Sequence, residues 1–244
     1  KPGATHICYC LTPTRYVWNM EEYIKQEGFN PALVALLRPL SQLLKLWDRR
    51  ACNGVDHFIA ISSAVQQRIA SVYQRNSVII HPPVETDEFI PVEKPDDYFL
   101  VVSRLIPYKR IDLAVKACTK LDLPLIIAGE GRDRERLEDC AGPSVRFLGR
   151  VSHGEMVDLM ARCRALLFPG QEDFGISPVQ AMASGRPVIA FASGGAMDYV
   201  REGKTGCLFN EQSTDSLVAA LRQFDEQQFN SSTIREFALR FDRS

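Results

Sequence analysis

Two cations and a pair of carboxylates are the residues of this 244-residue chain whose types and spacing best suit chemistry. Arg104 and Lys109 stand in Ser103-Arg-Leu-Ile-Pro-Tyr-Lys109, directly after the apolar run 98–102. A guanidinium grips two oxygens as a fork and an ammonium acts as a point charge, so the pair suits a diphosphate. An ordinary basic loop has the same composition. Glu172 and Asp173 precede Phe174-Gly175 in the loop that follows the apolar run 165–168. These acids lie near an expected helix start, where free N–H groups and roughly half a positive charge welcome a phosphate or a polarised sugar oxygen. Carboxylates at that place can accept from sugar hydroxyls, although any doubly wound fold has turns of this general kind. Gly129-Glu-Gly131 is a third loop, where backbone can approach a ligand closely. There is no Asp-x-Asp cluster to hold a metal, and none is expected, although Asp96-Asp97 and Glu172-Asp173 are adjacent acids.

Positioning these groups takes alternating strands and helices. Apolar runs predict strands over 6–10, 55–61, 78–83, 98–102, 125–128, 145–149, 165–168, 188–191 and 207–209. Apolar spacing predicts helices over 32–52, kinked at Pro39, and over 64–73, 111–120, 132–139, 178–184, 215–224 and 234–241. Ser62 and Ser63 are the N-caps expected for the second of these. Strand, loop, helix, strand in so few residues is the βαβ unit of a parallel α/β sheet, which binds ligands at the carboxyl ends of its strands. The segment 84–95, with three Glu, one Asp and two Pro, reads as a linker. The domains are therefore 1–94 and 95–244.

A net charge of −1 gives no electrostatic argument for nucleic acid. No apolar run reaches the eighteen or so residues of a membrane span. The seven Cys lie in apolar contexts without a Cys-x-x-Cys pair and read as reduced thiols of a cytosolic protein. Lys1 opens inside what reads as a domain interior, so an earlier region is expected to be absent. Thr12, Thr14 and Arg15 form either a phosphate site or a polar loop. The basic end of the helix at 47–50 is either a solvated face or a contact with anionic lipid at the inner face of a membrane. His153 reads as a capping or surface residue.

The stretch 172–187 resembles the signature of retaining nucleotide-sugar glycosyltransferases of the GT-B fold (glycosyltransferase family 4). Glu172, Phe174 and Gly175 match it, Gln180 occupies its second acidic position, and Ala181, Ala183, Gly185 and Pro187 follow in register. Ser103-Arg-Leu-x-Pro-x-Lys109 matches the diphosphate loop of the same family. The resemblance implies a GT-B-like α/β chain, with a parallel-sheet Rossmann-like C-terminal domain and a partial Rossmann-like N-terminal domain. It implies that Arg104 and Lys109 stabilise the leaving diphosphate and that Glu172 contacts donor-sugar hydroxyls. Gly129, Gly131, Arg150, Val151, Phe174, Gly175 and Ile176 complete the donor site, with the base against the turn at 149–151. Gln180 bonds the ribose through a neutral carbonyl.

Cys8-Tyr-Cys-x-Thr-Pro-x-Arg-Tyr16 resembles the branch containing O-antigen mannosyltransferases, except that Leu11 stands where that branch has a histidine. Retaining transfer of mannose from GDP-mannose follows, with a UDP-sugar as the other donor. The acceptor would be a glycan or lipid-linked molecule of surface polysaccharide assembly, and neither metal nor cofactor is expected. Leu11 and Gln180 leave open a binding module without turnover. An epimerase or phosphorylase would need acid–base or cofactor residues that have no candidates in the chain. A dinucleotide dehydrogenase is a weaker reading still, because no expected strand is followed by Gly-x-Gly-x-x-Gly.

Overall fold

The computed structural model describes residues 3–18 and 31–243, which form two compact units divided between His81 and Pro82. In the first unit β1 (Ile7–Cys10), β2 (His57–Ala60) and β3 (Ser77–Ile79) make a parallel sheet in the order β1-β2-β3. The helix Pro31–Cys52 runs through Pro39 without a break in its assignment, and Ser63–Tyr73 is the second long helix. Ser62 caps Ser63–Tyr73 by accepting from the Val65 N–H, while Val65 and Ile69 bury its apolar stripe beneath the sheet.

The second unit is a six-stranded parallel sheet of β4 (Phe99–Val102), β5 (Leu125–Ala128), β6 (Val145–Gly149), β7 (Ala165–Phe168), β8 (Val188–Phe191) and β9 (Gly206–Phe209). Their order is β6-β5-β4-β7-β8-β9. The central strands are buried on both faces, which is why they are spelled as unbroken apolar runs. Phe99, Val101, Ile127 and Leu167 pack with Ile111, Val115 and Leu217 of the helices Ile111–Leu121 and Thr214–Gln223. The chain builds outward from β4 to β6, then returns to place β7 on the other side of β4, paired Phe99 to Ala165 and Leu100 to Leu166. Strand order thus reverses between β4 and β7. Open α/β sheets carry their ligand crevice at such a point, beyond the carboxyl ends of the strands, and here the loops 103–110 and 169–175 are its two lips.

The structure differs from the sequence reading in three places. The segment 84–95 is no free linker: Val84 bridges Asp242, Thr86 Oγ1 donates to Asp242 Oδ1 at 2.5 Å, and Phe89 is fully buried. Its acids mask an apolar anchor, and the division between units falls at 81/82 rather than at 94/95. The helix read as 178–184 runs Ile176–Ala183. Pro178 is its third residue, a first-turn position where a missing N–H has no helical partner to lose. The cap at the next helix, His153–Arg162, belongs to Ser152, which forms a capping box with Glu155. His153 is exposed, as a surface residue, and pairs through Nε2 with Glu88 at 2.7 Å. The turn 203–206, which the spelling Gly203-Lys-Thr-Gly206 marks as hairpin-like, leads into β9, which pairs parallel to β8 and so makes no hairpin.

Candidate functional site at the sheet's switch point

Loop 103–110 is held from below by β5. The Ser103 N–H donates to the Ala128 carbonyl at 3.1 Å and the Leu105 N–H to the Glu130 carbonyl at 2.9 Å. A side chain at Gly129, whose φ is +140°, would collide with the Ser103 carbonyl, and one at Gly131 with that of Leu105. These glycines are demanded by the approach of a neighbouring protein loop, a reason that differs from the ligand approach read from sequence. Arg104 is exposed, and its guanidinium makes no hydrogen bond or ion pair among the described residues. The turn Pro107–Lys109 then brings Lys109 back over the sheet.

Across the crevice the Lys109 ammonium lies directly against the Glu172 carboxylate. Their side chains keep 17% and 13% of their exposure, so the pair is shielded from water but still reachable. The loop bearing Glu172 is clasped from behind by the turn after β8. The Gly195 N–H donates to the Glu172 carbonyl at 2.8 Å, and a side chain on Gly194, at φ +66°, would collide with that carbonyl. Tyr199 donates its hydroxyl to the Phe174 carbonyl at 2.7 Å, and the two rings meet edge to face. Burial, with the Glu172 charge adding to it, pushes the Tyr199 phenol well above its usual range. It therefore remains a neutral donor. Tyr199 carried no signal in the sequence, because its partner is distant in the chain.

Gly175, at φ 93° and ψ 101°, turns the backbone into helix Ile176–Ala183, and no side chain caps that helix. Its first N–H groups are therefore left without a side-chain cap, the arrangement that binds anions. Ile176 is 47% exposed at the first helical position, and Gln180, four residues on, shares its face. Gln180 is half-buried and its amide makes no hydrogen bond among the described residues. Phe174 is buried beneath the loop and serves as its anchor. Arg150 and Val151 follow β6 at the same edge of the sheet, where the Gly129 N–H donates to the Gly149 carbonyl at 2.7 Å. Arg150 is exposed and unpartnered among the described residues.

Each residue read as a donor contact thus lies on a carboxyl-edge loop of one sheet or on the helix that follows it, and Lys109 and Glu172 touch. Chemically, the site offers two cations and a helix start for an anion, beside one carboxylate for hydroxyl donors. Among the described residues, no three His, Cys, Asp or Glu side chains are grouped to hold a metal ion. In the first unit, Thr12 Oγ1 accepts from Arg68 Nη1 at 3.0 Å and Leu11 is exposed. The Arg15 side chain lies outside the described residues.

Residues 83–238 match the family model of glycosyl transferases group 1. The chain is 24% identical over 198 residues to an uncharacterized glycosyltransferase of Methanocaldococcus jannaschii, covering 79% of this chain and 56% of that protein. It is 32% identical over 164 residues to the O-antigen chain mannosyltransferase RfbU of Salmonella typhimurium, covering 60% and 44%. The chain thus spans about half the length of these relatives. Among solved structures, HepE of Anabaena, crystallised with UDP and glucose, superposes with a TM-score of 0.74 at 18% identity, over 98% of this chain and 67% of that one. Sucrose-phosphate synthase of Thermosynechococcus elongatus gives 0.77 at 21%, over 98% and 63%. The chain belongs to the glycosyl transferases group 1 family, and its α/β fold with parallel sheets is that of the GT-B glycosyltransferases.

Proposed function

We propose that the chain binds a nucleotide diphosphate hexose at the β4–β7 crevice and takes part in its retaining transfer to a glycan or lipid-linked acceptor. The observation that carries this reading is the contact of Lys109 with Glu172 beside an uncapped helix start, with Arg104 exposed and unpartnered on the same lip. As the glycosidic bond stretches, negative charge gathers on the leaving diphosphate. Arg104, Lys109 and the N–H groups at Ile176 and Ser177 are preorganised for that charge, commonly the largest catalytic term. Glu172 accepts from hydroxyls of the hexose and so distinguishes the sugar-bearing donor from its product. Gln180 accepts from the ribose. Transfer without a metal belongs to the same proposal, since these groups supply the positive charge; unchanged turnover in EDTA is the expected result.

GDP-mannose is the proposed donor, and surface polysaccharide assembly the proposed setting. Both rest on the signature around Glu172, on the segment 8–16 and on similarity to a mannosyltransferase by name. A UDP-sugar is the competing donor, favoured by the UDP in the HepE crystals. Calorimetric titration with GDP-mannose, GDP and UDP-glucose separates them: GDP-mannose should bind most tightly, and equal, negligible heats would overturn the donor assignment. Leu11 and Gln180 favour a second reading, a donor-binding module without turnover. Tight GDP-mannose binding with no release of GDP in the presence of acceptor extracts would establish that one.

A cytoplasmic site at a membrane surface completes the proposal. No helix among the described residues is long and apolar enough to cross a membrane. Helix Pro31–Cys52 instead exposes Leu40, Leu43, Leu44 and Trp47 along one stripe and ends in Arg49 and Arg50, a composition suited to an anionic bilayer surface. Sedimentation with phosphatidylglycerol vesicles, absent with phosphatidylcholine alone, is the expected result.

A further inference from the structure

The two lips of the crevice are joined by more than the Lys109–Glu172 ion pair. Gly170 packs so closely on the opposite lip that an added Cβ would lie 2.8 Å from the Lys109 carbonyl oxygen. Gln212, in the turn after β9, spans both lips. Its Nε2 donates to the Pro169 carbonyl at 3.1 Å, and its Oε1 accepts from Arg110 Nη1 at 3.3 Å. A guanidinium can only donate and a carbonyl can only accept, so the partners dictate the orientation of the amide. A carboxylate of the same length would satisfy Arg110 and repel Pro169.

Arg110 is itself a constrained residue. It sits at φ 52° between the turn Pro107–Lys109 and helix Ile111–Leu121, and its Nε donates to Asp112 at 3.2 Å. A left-handed residue other than glycine persists only where its surroundings hold it. The Gln212 bond is one of those holds, and it acts on the residue next to Lys109.

We propose that Gln212 is a positioning residue for donor binding. By bridging Arg110 to the Pro169 carbonyl it sets the spacing between the Lys109 ammonium and the Glu172 carboxylate, so that diphosphate and hexose are gripped together. The inference rests on the donor-site reading above. It carries its own signature, because Gln212 works only through a ligand that uses both lips. Loss of the bridge penalises a sugar nucleotide, whose hexose Glu172 holds while Lys109 holds the diphosphate, more than the free nucleotide, which has no hexose for Glu172.

The test compares GDP and GDP-mannose binding by calorimetry for the parent chain, Q212A, Q212E, K109A and the double variant K109A/Q212A. Q212A should weaken GDP-mannose binding about three- to tenfold, the worth of one or two net hydrogen bonds, and GDP binding by less than about threefold. Q212E should behave like Q212A, since it keeps Arg110 but loses Pro169. In the K109A background, Q212A should add no further loss, as one side of the grip is already gone. A role confined to folding would move both ligands equally and in both backgrounds, and would overturn the inference. So would parental GDP-mannose affinity in Q212A. Should K109A leave GDP affinity untouched, or the parent bind neither ligand, the donor-site reading itself falls and this inference with it.

Discussion

Replacing Glu172 by alanine should make the site bind free nucleotide diphosphate more tightly while binding the sugar nucleotide less tightly. In the empty crevice Glu172 holds the Lys109 ammonium, so a diphosphate must win that cation from a carboxylate. At a contact of about 3 Å and an effective dielectric of about 20, the attraction is about 5 kcal/mol; at about 6 Å it is about half that. A phosphate that draws the ammonium a few ångströms away therefore forfeits about 2–3 kcal/mol of Coulomb energy. Both side chains retain some exposure, and water that solvates a released lysine returns part of this cost. A net gain of about 1–2 kcal/mol remains, or roughly five- to thirtyfold tighter GDP binding in Glu172→Ala. GDP-mannose gains the same amount but loses hydroxyl bonds to a charged acceptor, each worth about 1.5–3 kcal/mol. Its affinity relative to GDP should therefore fall about tenfold or more. Calorimetry with both ligands in low salt reads the two effects, and Glu172→Gln should lie between parent and alanine. Unchanged or weaker GDP binding, in a variant whose thermal midpoint matches the parent, refutes the idea that the pair competes with the ligand.

Arg104→Ala should leave the melting temperature within about 1 °C, since the side chain is exposed and unpartnered, yet weaken GDP binding about tenfold through loss of a charge-assisted contact. Arg186→Ala should cost about 2–4 kcal/mol, roughly 5–15 °C in thermal midpoint. Arg186 is buried, and its Nε and Nη2 donate to the Ala161 and Val92 carbonyls at 2.6 and 2.7 Å, which would be left unpaired; a shift under about 2 °C by calorimetry contradicts this. Burial pushes the Cys118 and Cys163 thiols from 9.0 up to about 12. The folded state thus keeps protons that the unfolded chain releases, so stability is intact below pH 9.0 and falls progressively between pH 9.0 and about 12. Urea melts at pH 8 and pH 10.5 should differ by about 1–2 kcal/mol per thiol, and Cys118→Ala should reduce that difference.

The strands of the second unit were legible because a parallel sheet buried on both faces must be written as apolar runs, and 145–149, 165–168 and 188–191 are observed at the bounds read. The loops after β4 and β7 were legible for a related reason. Ligand chemistry needs cations, acids and glycines that would be costly inside a core, so they stand out between the runs. Other features were hidden. The segment 84–95 reads as acidic and proline-rich, and nothing local tells that Val84, Thr86 and Phe89 turn inward against the C-terminal end of the chain. Glycine spelling was ambiguous too: at Gly129 and Gly131 the close neighbour is loop 103–105.

Sequence alone determined the α/β class, the alternation that puts loops 103–110 and 169–175 at the carboxyl ends of strands, and the residue types those loops offer. Which loops face one another was decided only by strand order. The reversal between β4 and β7 makes neighbours of Lys109 and Glu172, and the clasp of Gly194, Gly195 and Tyr199 holds the second loop in place. Side-chain type is a local property that composition and period disclose. Contact across a sheet depends on the packing of segments far apart in the chain, where no local pattern records the partner.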